Sequence, residues 1–448
     1  MVVVVVGAGI AGLAAGRFLA DGGHEVVVLE AGEQVGGKLR RASVADVTVD
    51  VGAEAMLARR AEGTDLARDL GLPVVHPTKA TSKLWVDGAL RPLPPTLMGA
   101  PMDLDALEAS GVLSPDGMAR ARAEADLGPA DPLGDGDTSV GSIIDARFGR
   151  EVTDRLVEPL LGGVYAGRAR EISVKAAVPK LAALHDRGPL TPQLAVLYRP
   201  GGQRGSDLPV FAGIDGGMGL LPEALAAGLE VRTGRPVRRI VRTAGRLTVE
   251  TLDGSEAADA VVLATPAHAT AHLLDGAAAD LALVDHASVA VITHAFRIED
   301  WPLGHDTSGF LVPPDQRRRI KASTFSFAKW DWVRRAGEAR GVLHVRTSIG
   351  RAREAHTLDH TDNELVAQSL ADLAEATGLR AAPVDTHVQR WPLGLPQYAV
   401  SHTARVAAMR RAVSDVPGLA IAGAAYDGVG IPAVIASARR AADEIMSR

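Results

Sequence analysis

The sequence contains no cysteine among its 448 residues. It therefore cannot form a disulfide, a thiolate metal site, a cysteine nucleophile or a cofactor bond through sulfur. A chain without thiols suits a reducing compartment, and we expect a cytoplasmic location. Among the 13 histidines no HxxxH pair has an evident third ligand, so no metal site is predicted.

Long apolar runs, aromatic residues and an excess of positive charge are also lacking. The sequence has no stretch of about 18 consecutive apolar residues, so no transmembrane segment is predicted. Residues 101–185 could at most present an apolar helical face to a lipid surface, a peripheral membrane contact. The net charge of −6 gives no reason to expect a nucleic-acid partner. Hydrophobic residues make up 47% of the chain, which is enough for two or three domain cores.

The N-terminal sequence has a pattern typical of dinucleotide binding. The apolar run Val2–Val6 leads into GAGIAG, then a helical pattern, then the strand-like Glu25–Leu29, which is followed by an acid that can bind a ribose. The three glycines allow a tight turn, a close approach of phosphate and close packing of helix on strand. The alternative is a glycine-rich turn without a ligand. The predicted cofactor-binding residues here are Gly7, Ala8, Gly9, Ile10, Ala11, Gly12 and Glu30.

Patterns of a parallel sheet recur in the middle and at the end of the chain. Residues 261–266 and 419–423 resemble buried strands, and a long helix follows to the C terminus. Residues 286–350 alternate in an antiparallel manner, and residues 101–185 have helical patterns, including one helix over 150–161. Residues 186–210 lack periodicity, which predicts a mobile surface segment. We expect an α/β protein with a discontinuous Rossmann-like domain, an antiparallel-sheet domain and a helical subdomain.

Several motifs resemble those of the flavin amine-oxidase superfamily, and within it the protoporphyrinogen and coproporphyrinogen oxidases. For the superfamily these are GGK at residues 36–38, GGMGLLP at 216–222 and VVLATP at 261–266. For the porphyrinogen oxidases they are EPLLGGVYAG at 158–167, RWPLGLPQY at 390–398 and AGAAYDGVGIP at 422–432. Many members of the superfamily carry an acid where this chain has Ala424, and the alanine matches the porphyrinogen-oxidase pattern.

The resemblance implies non-covalent FAD and assigns residues to it. Alternatives stay open for three of them: Lys38 could be a surface lysine, Trp391 a core residue, and Gly430 part of an ordinary strand–helix turn. It implies an FAD-binding domain of residues 1–78, 213–275 and 405–448, a substrate-binding domain of 79–100 and 276–404, and a helical subdomain of 101–212. The further residues assigned to the cofactor are Ala31, Lys38, Gly52, Ala53, Glu54, Ala55, Val237, Trp391, Val429, Gly430 and Ile431.

A porphyrinogen carries propionate groups, so cations are expected near its site. The candidates are Lys79, Lys83, Arg91 and Arg168, with loss of Lys83 or Arg91 expected to matter most. A basic group of residues 317–319 and Lys321 is expected further off. Each cation could instead be an ordinary solvated charge. No catalytic residue is predicted, because the flavin itself takes the hydride.

The activity implied is the six-electron oxidation of coproporphyrinogen III to coproporphyrin III in haem biosynthesis, with molecular oxygen as acceptor. The alternatives are a protoporphyrinogen IX oxidase, an amine oxidase, a carotenoid desaturase, or a flavin-bearing protein with no enzymatic role.

Overall fold

A parallel sheet built from distant parts of the chain forms one layer of the protein. The computed structural model describes residues 1–197, 209–243, 246–274 and 284–447. The central strand is the valine run, and its neighbours come from the middle and the end of the sequence. The predicted discontinuous parallel sheet is therefore confirmed. Across the sheet the strands are Glu230–Arg232, Glu25–Leu29, Val2–Val6, Ala260–Leu263 and Leu419–Ile421.

Both faces of this sheet are covered, which explains why its strands are continuously apolar. Val3 and Val5 pack under helices on one face, whereas Val4 and Val6 pack against a small antiparallel sheet and two helices on the other. The first face is covered by helices Ile10–Asp21, Ala61–Asp69, Leu220–Ala227 and Ile431–Met446. The second is covered by strands Val237–Thr243, Arg246–Thr251 and Ser255–Ala258 and by helices Ala267–Leu273 and His402–Ser414.

A seven-stranded mixed sheet forms the second large layer. All neighbouring strands are antiparallel except Thr307–Leu311 and Thr81–Val86, which run parallel. Asp87 and Gly88 close a hairpin, and both residues have the positive φ that a tight hairpin turn requires. Helix Asp362–Thr377 covers one face of the sheet. In order the strands are Asp385–Pro396, His286–Arg297, Val342–Ile349, Ile320–Phe325, Thr307–Leu311, Thr81–Val86 and Ala89–Pro92.

A helical region packs against the other face of the mixed sheet. Its core includes Leu84 and Val86 from the sheet. The helix expected over residues 150–161 is confirmed as a continuous helical segment, although it contains a π-helical turn and extends to Tyr165. Pro159 lacks the N–H that a regular helix would need there, and a π-helical turn precedes it. The helical segments are Leu104–Ser110, Pro115–Arg122, Val140–Phe148, Arg150–Val152, the π-helix Thr153–Val157, Glu158–Tyr165, Val174–Ala177, Pro179–Leu184 and Leu190–Ala195.

Short elements connect these layers. The expected mobile segment over residues 186–210 contains helix Leu190–Ala195, and residues 198–208 of it lie outside the described residues. In the described part of the chain, no helix is both long and apolar enough to cross a membrane. The remaining strands and α-helices are Arg41–Val44, Val47–Asp50, Met56–Leu57, Val74–Val75, Thr96–Leu97, Ala100–Pro101, Phe211–Ile214, Ser326–Lys329 and Asp331–Glu338. Short 3-10 helices are Ala123–Asp126, Ile298–Asp300, Pro314–Gln316 and Ala355–Leu358.

Candidate active site

The glycines of the N-terminal loop have two different roles. A Cβ atom on Gly12 would lie 1.8 Å from the carbonyl oxygen of Gly7, so this position permits no side chain. Gly7 itself has φ +102°, and its Cβ would lie 3.0 Å from the Ala264 carbonyl oxygen. A Cβ on Gly9, in contrast, would meet no atom within 4 Å. Gly7 and Gly12 therefore serve the packing, whereas Gly9 borders open space.

The helix that follows this loop begins with unpaired backbone donors. Its N-cap is Gly9, which has no side chain to accept from them. Among the described residues, none accepts a hydrogen bond from the N–H groups of Ile10, Ala11 or Gly12. Unpaired donors beside open space, at the positive end of a helix, are the arrangement that binds a pyrophosphate. These residues fit the expected dinucleotide.

Glu30 organises the adjoining ribose position. Its carboxylate accepts hydrogen bonds from the N–H of Ala8 at 2.7 Å and of Gly32 at 2.8 Å. Two carboxylate oxygens have lone pairs left for a ribose diol, and Ala31 lies exposed beside them. The Arg235 N–H donates to the Glu30 carbonyl at 2.7 Å. This contact brings the start of strand Val237–Thr243 next to the ribose position, where Val237 was expected to meet an adenine.

The second glycine pair lies against the first loop. Gly36 donates to the carbonyl of Ala8 at 2.8 Å and forms a bridge with Gly9. The next residue but one, Lys38, is drawn inward, and burial lowers the pKa of its ammonium. Its carbonyl accepts from the Ala53 N–H at 2.9 Å. A Cβ on Gly52 would lie 2.0 Å from the same oxygen. The structure thus brings together Lys38, Gly52 and Ala53, three of the residues predicted to bind the cofactor, and Gly52 is required for that contact.

Glu54 is clamped by two cations that sequence reasoning missed. Lys329 contacts one of its oxygens at 2.7 Å and Arg346 the other at 2.8 Å. Burial alone would raise the pKa of Glu54, but the two cations outweigh it and lower the pKa to about 2. Arg346 also donates to the Gly52 carbonyl at 2.6 Å. The clamp therefore ties the segment 52–55, including Ala55, to the mixed sheet.

Asp50 holds the return segment that carries the GGM motif. Its carboxylate accepts from the N–H of Met218 at 2.8 Å and of Gly219 at 3.3 Å. Burial raises the pKa of Asp50 to about 6, and these donors oppose the rise. Arg41 donates to the Gly216 carbonyl at 3.1 Å. The motif therefore serves to dock the returning chain against strand Val47–Asp50.

A second helix start also has unpaired backbone donors. Helix Ile431–Met446 has Gly430 as N-cap and no side-chain cap. No described residue accepts from the N–H groups of Val429, Gly430 or Ile431. The nearest atom to a Cβ on Gly430 would be Pro432 Cδ at 4.0 Å, and a Cβ on the buried Gly423 would meet nothing within 4 Å. This helix start can therefore accept an electron-rich ring edge.

Trp391 lies beside the same segment as Lys38. The Arg40 guanidinium is 5.9 Å from the centre of the indole ring. Trp391 pairs with Val289 across two strands and packs on a cluster of small buried side chains that includes Ala166 and Ala352. The structure therefore brings together Trp391 and the Lys38 segment, two parts of the predicted site that are far apart in sequence.

The four predicted substrate cations are not brought together. Lys79 is exposed. Lys83 is in register with Phe310, and strand alternation places it on the face of Trp85, which is covered by helix Asp362–Thr377. Arg91 packs beside Gly111 at the end of a helix, and Arg168 pairs with Glu354 at 3.3 Å. Their geometry does not form a single anion site.

Aromatic residues and a buried acid line the inner side of the helical region. The rings of Tyr165 and Tyr398 are 5.4 Å apart, and the Tyr398 hydroxyl donates to the Ala424 carbonyl at 2.6 Å. Glu158 has its pKa raised to about 7 by burial, although the Ala169 N–H opposes the rise. A Cβ on the buried Gly162 would meet nothing within 4 Å. The motif at 158–167 thus borders a second open space.

Comparison with known proteins identifies the family. The family model described as flavin containing amine oxidoreductase matches residues 10–446. The chain belongs to this family. The coproporphyrinogen III oxidase of Mycobacterium tuberculosis is 35% identical over 99% of this chain and 96% of the relative. The Staphylococcus aureus protein of that name is 28% identical over 99% of both chains. The predictions of a flavin cofactor, an oxidoreductase and a likeness to porphyrinogen oxidases are therefore confirmed.

Solved structures agree with this assignment. A candidate protoporphyrinogen oxidase from Exiguobacterium has a TM-score of 0.89 at 30% identity and covers 100% of this chain and 98% of its own. The cyclohexylamine oxidase of Brevibacterium oxydans has a TM-score of 0.70 at 16% identity, over 99% of this chain and 98% of its own. The second likeness shows a shared fold alone.

Proposed function

We propose that this flavoenzyme oxidises coproporphyrinogen III to coproporphyrin III in haem biosynthesis, with oxygen as electron acceptor, in the cytoplasm. The observation that carries the substrate assignment is the full-length similarity to proteins named coproporphyrinogen III oxidase. The reaction removes six hydrogens, so a two-electron cofactor must act three times per substrate molecule.

We propose FAD, bound without a covalent bond, as the cofactor. The unpaired donors at Ile10, Ala11 and Gly12 suit a pyrophosphate, and Glu30 with the neighbouring Val237 strand suits an adenosine. FMN would leave both of these features without a ligand. The absence of cysteine excludes attachment through sulfur.

When bound, FAD accepts a hydride from the substrate and passes its electrons to the acceptor. The residues of this chain bind and orient it. The start of helix Ile431–Met446 favours negative charge at the ring edge next to Val429, Gly430 and Ile431. Trp391 and the clamped segment 52–55 would enclose the ring. The chain supplies no base in this proposal, because protons from the pyrrole nitrogens can leave to solvent.

We assign the binding of FAD and the binding of substrate to different layers of the fold. In this proposal residues 1–78, 213–275 and 405–448 bind FAD. Residues 79–100 and 276–404 bind the substrate, together with the helical residues 101–212. The substrate would then occupy the open space next to Gly162 and the two tyrosines.

An amine oxidase is a weaker alternative. An aromatic cage for an amine would need Tyr426 to face the site. Tyr426 is buried in the core on the face of the parallel sheet opposite to helix Ile431–Met446. A protoporphyrinogen IX oxidase stays open as the second candidate, because a related structure carries that description.

The test is a comparison of substrates with the purified holoenzyme. We expect a flavin absorbance spectrum, FAD released by heat or acid, and hydrogen peroxide formed with coproporphyrinogen III at a higher kcat/KM than with protoporphyrinogen IX. Preference for protoporphyrinogen IX would contradict the substrate assignment but not the flavin. Turnover without peroxide would contradict oxygen as the acceptor.

A further inference from the structure

Lys321 occupies an irregular position in the mixed sheet. Ile320 pairs with Ile349 and Ala322 with Ser348, so Lys321 is an extra residue in a β-bulge. Ile320 packs in the core under helix Asp362–Thr377. Ala322 instead pairs with Leu311, which packs on the helical region. A bulge re-aims the side chain it carries.

The side chain of Lys321 is largely buried, and its ammonium has no partner among the described residues. The residue is 7% exposed. Among the described residues, none accepts a hydrogen bond from it or forms a salt bridge with it. Burial, with the nearby Arg351, lowers its pKa to about 7, while Glu354 opposes this. Glu354 is already paired with Arg168 at 3.3 Å. A charge with little access to water and no partner is costly, so an anion beside the Lys321 ammonium would be stabilising.

The surroundings carry more positive than negative charge. Arg351 donates a hydrogen bond to the Val312 carbonyl at 3.0 Å. This contact provides no carboxylate partner for Lys321. The pKa of Glu158, near Arg168 and Arg170, is raised to about 7 by burial, so this acid is only partly ionised near neutral pH. Lys321 is itself only partly charged near neutral pH, and Lys321 and Arg351 have Glu354 as a shared carboxylate neighbour.

Open space lies next to this group. Helix Glu158–Tyr165 packs on strand Ile320–Phe325. A Cβ on Gly163 would be 3.9 Å from Leu311 Cδ2, and the adjacent Gly162 is buried with open space at its Cβ. The open space at Gly162 therefore lies on a helix that packs directly on the strand carrying Lys321.

We propose that Lys321 binds a carboxylate of the substrate in the space between helix Glu158–Tyr165 and strand Ile320–Phe325. The inference rests on the proposed function and identifies a specificity residue for it. A propionate supplies the acceptor that the ammonium lacks, and it balances the excess positive charge of Lys321, Arg351 and Arg168. Coproporphyrin-type substrates have four propionates, so one can extend here while the ring faces the flavin.

The test uses full-length holoenzyme with Lys321→Met, which keeps the aliphatic length and removes the charge. The probe is coproporphyrin III, a stable porphyrin with four propionates, titrated by fluorescence. We expect Kd to rise about tenfold, KM for coproporphyrinogen III to rise similarly, and kcat to change less than about twofold. The matched control is Lys83→Met on the opposite face of the sheet, for which we expect an unchanged Kd.

A second readout is stability without ligand. Removing an unpaired buried charge should leave Tm unchanged or raised in Lys321→Met. A lowered Tm would mean that the ammonium is satisfied within the fold, and this would overturn the proposal. Lys321→Gln gives a second folded variant for the same titration.

The outcomes separate the two hypotheses. An unchanged Kd in both Lys321 variants, or a larger loss in Lys83→Met, overturns the role of Lys321 while the oxidase activity stands. Wild-type enzyme that binds coproporphyrin III through Lys321 but oxidises neither porphyrinogen would overturn the proposed function alone. Wild-type enzyme that does not bind coproporphyrin III overturns the proposal for Lys321.

Discussion

The glycine loop of residues 7–12 and the surroundings of Lys321 offer hydrogen-bond donors to anionic ligands in different ways. At the glycine loop the donors are backbone N–H groups of Ile10, Ala11 and Gly12, fixed by a helix start. At Lys321 the donor is a side chain buried in a bulge between two layers. A backbone site is set by a short local sequence, whereas a side-chain site depends on which segments pack around it. The predictions below test this difference, beginning with the largest expected effect.

Gly9→Leu should abolish flavin binding. The leucine side chain would enter the open space above the loop, which the pyrophosphate needs. The fold should be retained, because a Cβ at this position meets no protein atom. Absorbance at the flavin bands and circular dichroism check both statements. Gly128→Leu is the control, since its Cβ is equally free but lies in an exposed loop far from the site. Full flavin occupancy in Gly9→Leu would show that the loop does not hold the cofactor.

Arg346→Met should reduce stability by about 3 kcal/mol, because it leaves Glu54 buried with Lys329 as its one remaining contact cation. Urea unfolding of the holoenzyme measures this. The comparison is Arg335→Met, which breaks an exposed pair with Asp215 and should cost less than about 1 kcal/mol. Equal effects would contradict the clamp.

The same clamp predicts a pH dependence. The pKa of Glu54 is about 2 in the folded chain, below its ordinary 4.5. A lowered carboxylate pKa contributes stability above pH 4.5, and that contribution is lost as pH falls toward 2. Arg346→Met should flatten the acid limb of the unfolding curve between those values. An unchanged acid limb would mean that Glu54 is not held by Arg346.

Gly430→Val should slow flavin reduction about tenfold or lower its occupancy, with the fold intact. The valine would occupy space next to the ring edge, and its Cβ would come no closer to the protein than 4.0 Å, at Pro432 Cδ. A tenfold change corresponds to about 1.4 kcal/mol in the barrier. Stopped-flow reduction under anaerobic conditions measures the rate. Gly430→Ala should have a smaller effect. Unchanged reduction in the valine variant would remove this helix start from the site.

Coproporphyrin III binding should weaken as pH rises above about 7. The pKa of Lys321 is lowered to about 7, so its charge is lost above that pH, and affinity should fall by up to tenfold per pH unit. Arg351 and Glu354 also act electrostatically on the Lys321 ammonium. Glu158, with its pKa raised to about 7, ionises there too and repels the ligand in the same direction.

Two variants separate these titrations. Lys321→Met should flatten most of the profile, whereas Glu158→Gln should leave the lysine limb in place. A profile that is flat in the wild type, or that rises with pH, would contradict a carboxylate bound at Lys321.

Sequence reasoning predicted the local backbone structure of the candidate cofactor site. The GAGIAG loop, the acid after the second strand and the start of the last helix each follow from glycine spacing and strand–helix order. It was less successful within segments. The predicted helix over residues 150–161 contains a π-helical turn before Pro159, and residues 186–210 include helix Leu190–Ala195. Both depend on packing in the helical core.

Substrate cations were the weakest part of the sequence interpretation. The sequence places Lys83 and Arg91 in segments that are expected near the site. In the structure, strand alternation places Lys83 on the face covered by a helix, and Arg91 lies beside the end of another helix. The sequence assigns Lys321 to a basic group that is expected further from the substrate site. No signal in one sequence reveals that a bulge would bury it, because the bulge arises from pairing with a strand that follows later in the chain.

The sequence alone determined that this chain binds a dinucleotide in a discontinuous α/β domain. Glycine, apolar runs and helix starts act through neighbours a few residues away, so their consequences are visible in order and spacing. The tertiary structure decided which charges are buried and paired. Glu54 meets Lys329 and Arg346 at sequence separations of 275 and 292 residues. Burial and pairing depend on such distant contacts, because the cost of a charge is set by everything that surrounds it in space.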